Sequence, residues 1–470
     1  MRLKETMNYG TEFALKTQIF NNRIVSNSFR ETLLNVFPRI HERKHYWPLL
    51  AYLLFPTQIA EKKILLARNT LTEIFGYSSV PPYFNTERLL RGFAEAMHLE
   101  FTWSDYNKLE ERARVVEKLV WPKRILIGLE FEREHLLWKE GRVFLISGKP
   151  FTRKKQYRFM NEERILALQF IARTKETQLV LDYMNNIPSS NLFASLIRRN
   201  GGKTLDVISN LKSDMVHQWN IFSSIYYNYT QVYKPVEKSV RIFPFRERIV
   251  SLQSEVRKVL THGLLEADLK NAQFAIAATL WNIPSIKKFL KDGGNMWEYL
   301  YQLGTTDKDK LKTVLYSLMF GMHHVGTTAQ LNEIGIRYKD FIALPLIKDL
   351  IQARNKEMNH IKMNGGATTC FGDFLPITEN SSKTQEEQIR SVLAQCCQAM
   401  ELKLLLPVVE LAMENKGKHG FTIALWQHDG FTIHTHSRQQ KQYWIDYITN
   451  KVNYTASSQD IMTQLIWEEL

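Results

Sequence analysis

With 470 residues, 44% hydrophobic and 23% charged, the chain has the make-up of an ordinary folded protein, long enough for two or three packed domains. Its three cysteines, Cys370 and the adjacent Cys396 and Cys397, show neither a disulfide framework nor zinc-site spacing, and no run of about 18 apolar residues marks a membrane span. The net charge of +14 is unevenly placed: residues 1–250 hold 39 Lys and Arg against 25 Asp and Glu, and residues 251–470 hold 23 against 23, so the N-terminal half carries the whole excess. Such a half suits a polyanionic partner, nucleic acid or an anionic membrane surface; a solubility charge that binds nothing is the plain alternative.

The N-terminus carries Glu5 and Glu12 and no apolar h-region, so no secretion signal is visible and an intracellular setting is expected, cytoplasmic, organellar or phage-encoded. Residues 1–155 read as a basic module of mixed helices with at least one hairpin. Tyr46 to Phe55, between His45 and Pro56, predicts a buried helix, and Gly141 to Pro150 a short strand ending in turn chemistry. Arg153, Lys154, Lys155 and Arg158, with Tyr157 among them, form the densest basic cluster. They fit a groove for a nucleic-acid backbone with a stacking ring, and equally a solvated loop. From about 160 to 240 the pattern is helical. Gly201-Gly202 is expected to break it, and Pro235 to end the helix that follows.

The chemistry-bearing segments all lie beyond Arg241. Leu264 to Leu269 predicts a strand ending near Asp268, and Ala272 to Leu280 a buried helix closed by Asn282-Ile283-Pro284. Asp268 is then either a metal ligand on a rigid strand end or a helix N-cap. Farther on, Phe421–Trp426 and Phe431–His434 are strand-like runs flanking Gln427-His428-Asp429-Gly430. Asp-Gly there is both a tight-hairpin signal and a means of presenting an acid at a hairpin tip. Between them, Lys308, Lys312, Tyr316 and Phe320 fall at four-residue steps, placing two cations and two rings along one helical face, with Gly321 permitting close approach. The cations suit triphosphate oxygens and the rings a base and sugar; a solvated amphipathic helix is the alternative.

Taken in order, these three segments resemble motifs A, B and C of family A DNA polymerases, the bacterial DNA polymerase I group. Lys308 stands where that family has Arg, Phe320 where it has Tyr, Gln273 at the Glu steric-gate position, and Gly430 in place of the Glu after His428-Asp429. The resemblance covers 241–470 well and 160–240 loosely, and it does not reach 1–155, where no exonuclease acid motif is visible either. It implies an α+β right-hand polymerase with an antiparallel palm sheet, helical fingers and a helical thumb. Residues 156–240 would form the thumb-like region, 241–284 and 366–470 the palm, and 285–365 the fingers.

By the same resemblance, Asp268 and Asp429 bind two Mg²⁺ ions, Lys308 and Lys312 hold the triphosphate, Tyr316 and Gln273 bear on the sugar, and Phe320 packs under the template-primer pair. Arg241, Gln253, Arg257, Arg390, Gln398 and His428 would touch primer-template DNA. The implied reaction is template-directed addition of dNTPs to a primer 3′ end in replication, without proofreading, with replication accessory proteins as further partners and no membrane. A single-subunit RNA polymerase is the first rival, opposed by the bulk of Gln273 and by Tyr316. A catalytically weak DNA-binding replication protein is the second, opposed by retention of both aspartates.

Overall fold

The structure is a computed structural model. It describes residues 24–470 other than 44, 55–58, 61–62, 68–70, 72–73, 75–85, 105–112, 127–142, 146–152, 187–189, 212–214, 237–238, 306, 379–382, 416 and 418. Helices are mixed with small antiparallel sheets, and the chain divides into two compact units: Met1–Leu166 with Gly202–Tyr229, and Ala167–Gly201 with Thr230–Leu470. The segment 156–240 is thus shared between the two units.

In the first unit, a four-stranded antiparallel sheet has the order Ile59–Ala60, Lys63–Ala67, Ala113–Val120, Glu100–Trp103. The greasy stretch forms the helix Tyr46–Leu54 as expected, with all nine residues buried. Val143–Leu145 is a strand as expected, and its partner is the distant Ile24–Ser26. The basic cluster opens the helix Arg153–Ala167, so the loop alternative gives way. That stretch contains neither Gly nor Pro, and Arg158 stands four residues before Glu162, to which its Nε donates at 2.8 Å.

The second unit is organised around a four-stranded antiparallel sheet in the order Phe421–Gln427, Gly430–Thr435, Leu265–Leu269, Leu465–Glu469. Along the third of these strands Leu265, Ala267 and Leu269 are buried, so the two-residue strand period turns Glu266 and Asp268 to the opposite face. The helix Ala272–Leu280 follows with the bounds the sequence suggests. The edge strand Phe421–Gln427 is covered by two buried tyrosines, whose hydroxyls accept from its backbone: Tyr183 from Ile423 N–H at 3.1 Å, Tyr233 from Trp426 N–H at 2.9 Å. Burial pushes the Tyr183 hydroxyl up to about 12 and Tyr233 higher still.

The 30-residue helix Gln385–Glu414 runs through the core of this unit and begins at a capping box between Thr384 and Glu387. By length and composition it could cross a membrane, unlike any span legible as an unbroken apolar run. Two-thirds of its most apolar window is nonetheless buried inside the protein, as in a core helix.

Two expected breaks are absent. The helix Ser190–Asn210 continues through Gly201-Gly202, and the division between the units falls at that pair. Two helical glycines cost about 1 kcal/mol each. Burial of Phe193, Leu196, Leu205 and Ile208 along the helix outweighs this at about 1.5–3 kcal/mol per large side chain. Asn200 adds a buried bond from its Nδ2 to the Leu260 carbonyl at 2.9 Å. Pro235 likewise ends no helix. The preceding helix stops at Tyr227, and Pro235 closes a two-stranded ribbon, Tyr233–Pro235 with Ile242–Pro244, where a missing N–H is tolerated. Asn185 clamps that ribbon by accepting from the Tyr233 N–H at 2.8 Å and donating to its carbonyl at 3.0 Å.

Candidate active site

The antiparallel register brings the two aspartates together. Asp429 sits in the two-residue turn His428-Asp429, and the next residue, Gly430, pairs directly with Asp268 on the neighbouring strand. The Leu269 N–H donates to the Asp429 carbonyl at 3.1 Å. Both sequence alternatives for Asp429 therefore hold: a tight hairpin is what presents the acid. Asp268 caps no helix, because the N-cap position of the next helix is Asn271, in the left-handed region at φ +52°. A Cβ at position 430 would collide with the Ala267 carbonyl oxygen, so this pairing leaves no room for an acid there.

Water reaches the Asp268 carboxylate, yet protein atoms crowd it on most sides. That desolvation, and then the Asp429 charge, raise its pKa to about 7, while Lys312 pulls it back. The Lys312 Nζ lies 3.8 Å from Asp429 Oδ2.

Lys312 is carried on the helix Lys308–Met319, which starts at Asp307, whose side chain accepts from the Lys310 N–H at 3.1 Å. Leu311, Val314, Leu315, Leu318 and Met319 are its buried residues, and Lys308, Lys312 and Tyr316 lie along another stripe. There the cations and rings alternate in space: Lys308 Nζ is 5.9 Å from the Trp297 ring centre, Trp297 meets Tyr316 edge-on at 6.4 Å, and Lys312 Nζ is 5.6 Å from the Tyr316 ring. Trp297, on the helix Met296–Tyr301, was not signalled by any motif; its ring placement comes from packing between helices.

The C-terminal end of this helix is held by two guanidinium groups. Arg354 donates to the Leu318 carbonyl at 2.6 Å and Arg390 to the Gly321 carbonyl at 3.4 Å, where cations complement the helix dipole. Phe320 is the C-cap residue and Gly321 has φ +88°. A Cβ on Gly321 would stand 2.7 Å from Arg390 Cγ. Gly321→Ala is therefore expected to lower stability by about 1 kcal/mol or more and shift this helix end, read as a lower melting temperature.

Behind the aspartates lies a network that sequence reading missed. Glu401, 1% exposed on the helix Gln385–Glu414, accepts from Arg241 Nη2 at 2.9 and 2.8 Å through its two oxygens, and from the Gln273 amide. Burial drives the Glu401 carboxyl upward and Arg241 opposes it; the charges of Asp429 and Asp268 also act on it. Gln398 accepts from Ser239 Oγ at 3.0 Å. The His428 ring packs 4.5 Å from Phe243, and burial lowers its pKa to about 4, leaving it neutral near pH 7. Arg257 pairs with Glu266 at 3.4 Å, and Gln253 is the N-cap residue of the helix Ser254–Leu260.

The structure thus gathers Asp268, Asp429, Lys312, Tyr316, Gln273 and Arg241 around one end of the sheet, while Arg390 stands at the end of the lysine helix. Arg241 and Arg257 are both engaged by carboxylates. Arg153, Lys154, Lys155 and Arg158 belong to the first unit, and the side chains of the first three lie outside the described residues.

Among the described residues no group of three or more His, Cys, Asp and Glu is placed to hold a metal. Mg²⁺ asks for less: one or two carboxylates, with water and substrate phosphate completing its octahedron. Two carboxylates close enough that the charge of Asp429 helps raise the pKa of Asp268, offering only hard oxygen donors, fit that requirement.

No family model matches the chain, and neither does any curated protein. Among solved structures it is similar to the POL domain of Pol1 from M. smegmatis in complex with DNA primer-template and dNTP. The identity is 12% over 90% of this chain and 80% of that one, with a TM-score of 0.44.

Proposed function

We propose that this chain is a template-directed DNA polymerase that adds deoxynucleotides to a primer 3′ end, with Asp268 and Asp429 as the ligands of two Mg²⁺ ions. The observation that supports it most is the pairing of Gly430 with Asp268, which sets Asp429, in the turn just before Gly430, beside the strand that carries Asp268, with Lys312 3.8 Å from Asp429. Bound ions would supply charge neutralisation at the attacking and leaving oxygens. Lys312 and Lys308 would hold the triphosphate, and Tyr316, braced by Trp297, would form a flat wall beside the sugar and base. Phe320 would pack under the template-primer pair.

In this reading the four-stranded sheet is the palm, the helices of 285–365 are fingers, and helices within 156–240 serve as a thumb in a right-hand polymerase of family A type. Primer-template DNA and dNTPs are its partners, with an intracellular role in replication. Primer extension with dNTPs, with NTPs and without nucleotide tests it. Template-dependent extension by dNTPs is expected, and its absence in Mg²⁺ with purified protein would rule the reading out.

The basic helix Arg153–Ala167 is proposed to follow the DNA backbone. Replacing Arg153, Lys154, Lys155 and Arg158 by Gln is expected to weaken binding similarly across sequences and flatten the salt dependence by up to roughly four units of slope, less the share of Arg158 held by Glu162. An unchanged slope would make this stretch a solvated surface.

A further inference from the structure

The helix Lys441–Ser458 packs on the face of the four-stranded sheet opposite the Asp268 side chain. Trp467, which pairs with Ala267, donates from Nε1 to Thr449 Oγ1 of this helix at 2.8 Å, and the strand alternation turns Ala267 away from the Asp268 face. Trp444, Ile448, Val452 and Ala456 are the buried residues of the helix. Its opposite pole, where a helix ordinarily shows charge to water, carries Tyr443, Tyr447 and Tyr454. Tyr443 is 55% and Tyr454 75% exposed. Scattered apolar residues on a surface need no explanation, but three rings in one stripe do.

The first two rings are already stacked. Tyr443 and Tyr447 lie 5.7 Å apart with 11° between their planes, and Trp444 meets them edge-on at 5.1 and 6.0 Å. One turn farther on, Lys451 Nζ stands 5.8 Å from the Tyr447 ring centre, and Tyr454 follows about 10 Å beyond Tyr447 along the axis. The exposed Arg438 sits in the turn that leads into the helix. Two acids beside this face are engaged: Asp446 accepts from Gln442 at 2.8 Å, and Glu469 pairs with Lys441. The segment whose His419 carbonyl accepts from Trp444 Nε1 at 2.8 Å has Lys416 and Lys418 in sequence and no acid. The result is a column of ring faces with a cation toward each end.

We infer that this face binds single-stranded DNA, with unpaired bases stacking on Tyr443 and Tyr447 and the backbone drawn by Arg438 and Lys451. Rings braced in place have lost their side-chain freedom before a base arrives, so less of the stacking energy is lost to ordering. Every base offers a π-face, so the site recognises strand state rather than sequence. A duplex hides those faces and gains only the phosphate contacts. The flanking cations favour a polyanion over the apolar surface of a protein. The site lies across the sheet from Asp268, so it stands or falls independently of the polymerase reading.

The test follows a fluorescein-labelled oligo(dT) by anisotropy on full-length protein already saturated with unlabelled blunt duplex DNA, which fills duplex-binding surfaces and offers no unpaired base. The wild type is expected to take up oligo(dT) under these conditions. Tyr443→Ala combined with Tyr447→Ala is expected to weaken that binding at least about tenfold, with an unchanged melting temperature. Tyr443→Phe with Tyr447→Phe keeps the ring faces and should stay within about twofold of the wild type. Lys451→Gln should lower the salt slope by about one unit. Oligo(dT) binding that blunt duplex abolishes, or that the alanine variant retains, would overturn the site. An equal loss in the phenylalanine variant would overturn stacking as its basis. Self-association that the alanine variant loses, with oligo(dT) binding unchanged, would make this face a contact between copies instead. Primer extension is expected to be the same in the alanine variant and the wild type, and its loss in the variant alone would overturn the separation from the aspartates.

Discussion

Asp268→Asn and Asp429→Asn are each expected to reduce primer extension in Mg²⁺ to background while changing DNA affinity by no more than several-fold. The two acids are the hard-oxygen donors of the site, whereas phosphate contacts from Lys and Arg supply most nucleic-acid binding. Asn keeps the size of each side chain and removes the charge, so folding is not the variable. Asp268 carries a further signature: its crowding and the Asp429 charge raise its pKa to about 7. Relieving that repulsion in Asp429→Asn should let Asp268 ionise at lower pH, visible as a lower midpoint when its carboxyl resonance is followed in an NMR titration. Near-normal extension by either variant would remove the two-metal assignment, whatever the titration shows.

The second large effect is on stability. Arg241→Ala leaves Glu401 buried without its countercharge, and breaking one side of a buried pair typically costs about 3–5 kcal/mol. The loss should depend on pH. Burial already raises the Glu401 pKa from 4.5, and without the guanidinium nothing comparable opposes that rise. A carboxyl whose folded pKa exceeds its unfolded one is not penalised while pH stays below both values, and folding loses stability as pH climbs through the interval between them. With Arg241 in place the folded pKa is already about 8, so the deficit of the variant relative to the wild type should open as pH rises through that value and be smaller at pH 7 than at pH 9, measured by urea denaturation. A pH-independent deficit would mean that Glu401 is neutral in the native protein or that another cation replaces Arg241.

Much of this site was legible from local pattern. Asp268 lies one residue before the end of a strand whose alternation is visible, Asp429 occupies an Asp-Gly hairpin, and four-residue steps fix Lys308, Lys312 and Tyr316 on one stripe. Each depends on neighbours within one element. Glu401 was not legible, because its partners Gln273 and Arg241 lie 128 and 160 residues away and its own segment reads as an apolar helix. The pairing of Arg241 with that carboxylate is hidden for the same reason: nothing local to Arg241 discloses Glu401. Gly201-Gly202 and Pro235 misled because propensity was taken to decide what tertiary burial decides. The glycine at 430 was seen as a missing acid, whereas the register shows a backbone carbonyl already occupying the space.

The helix Gln385–Glu414 has a consequence for the protein's lifetime. Folded, two-thirds of its most apolar window is enclosed and its one deeply buried acid is matched by Arg241. Unfolded, it releases a segment with the composition of a lipid-inserting helix, with Pro407 unable to restore a regular helix ladder. Where self-association of such a segment outruns refolding, heating gives precipitate rather than a reversible transition, and that is the outcome expected here. Shelf life is then set by the rate at which this helix is first uncovered, and the apparent melting temperature should climb with scan rate.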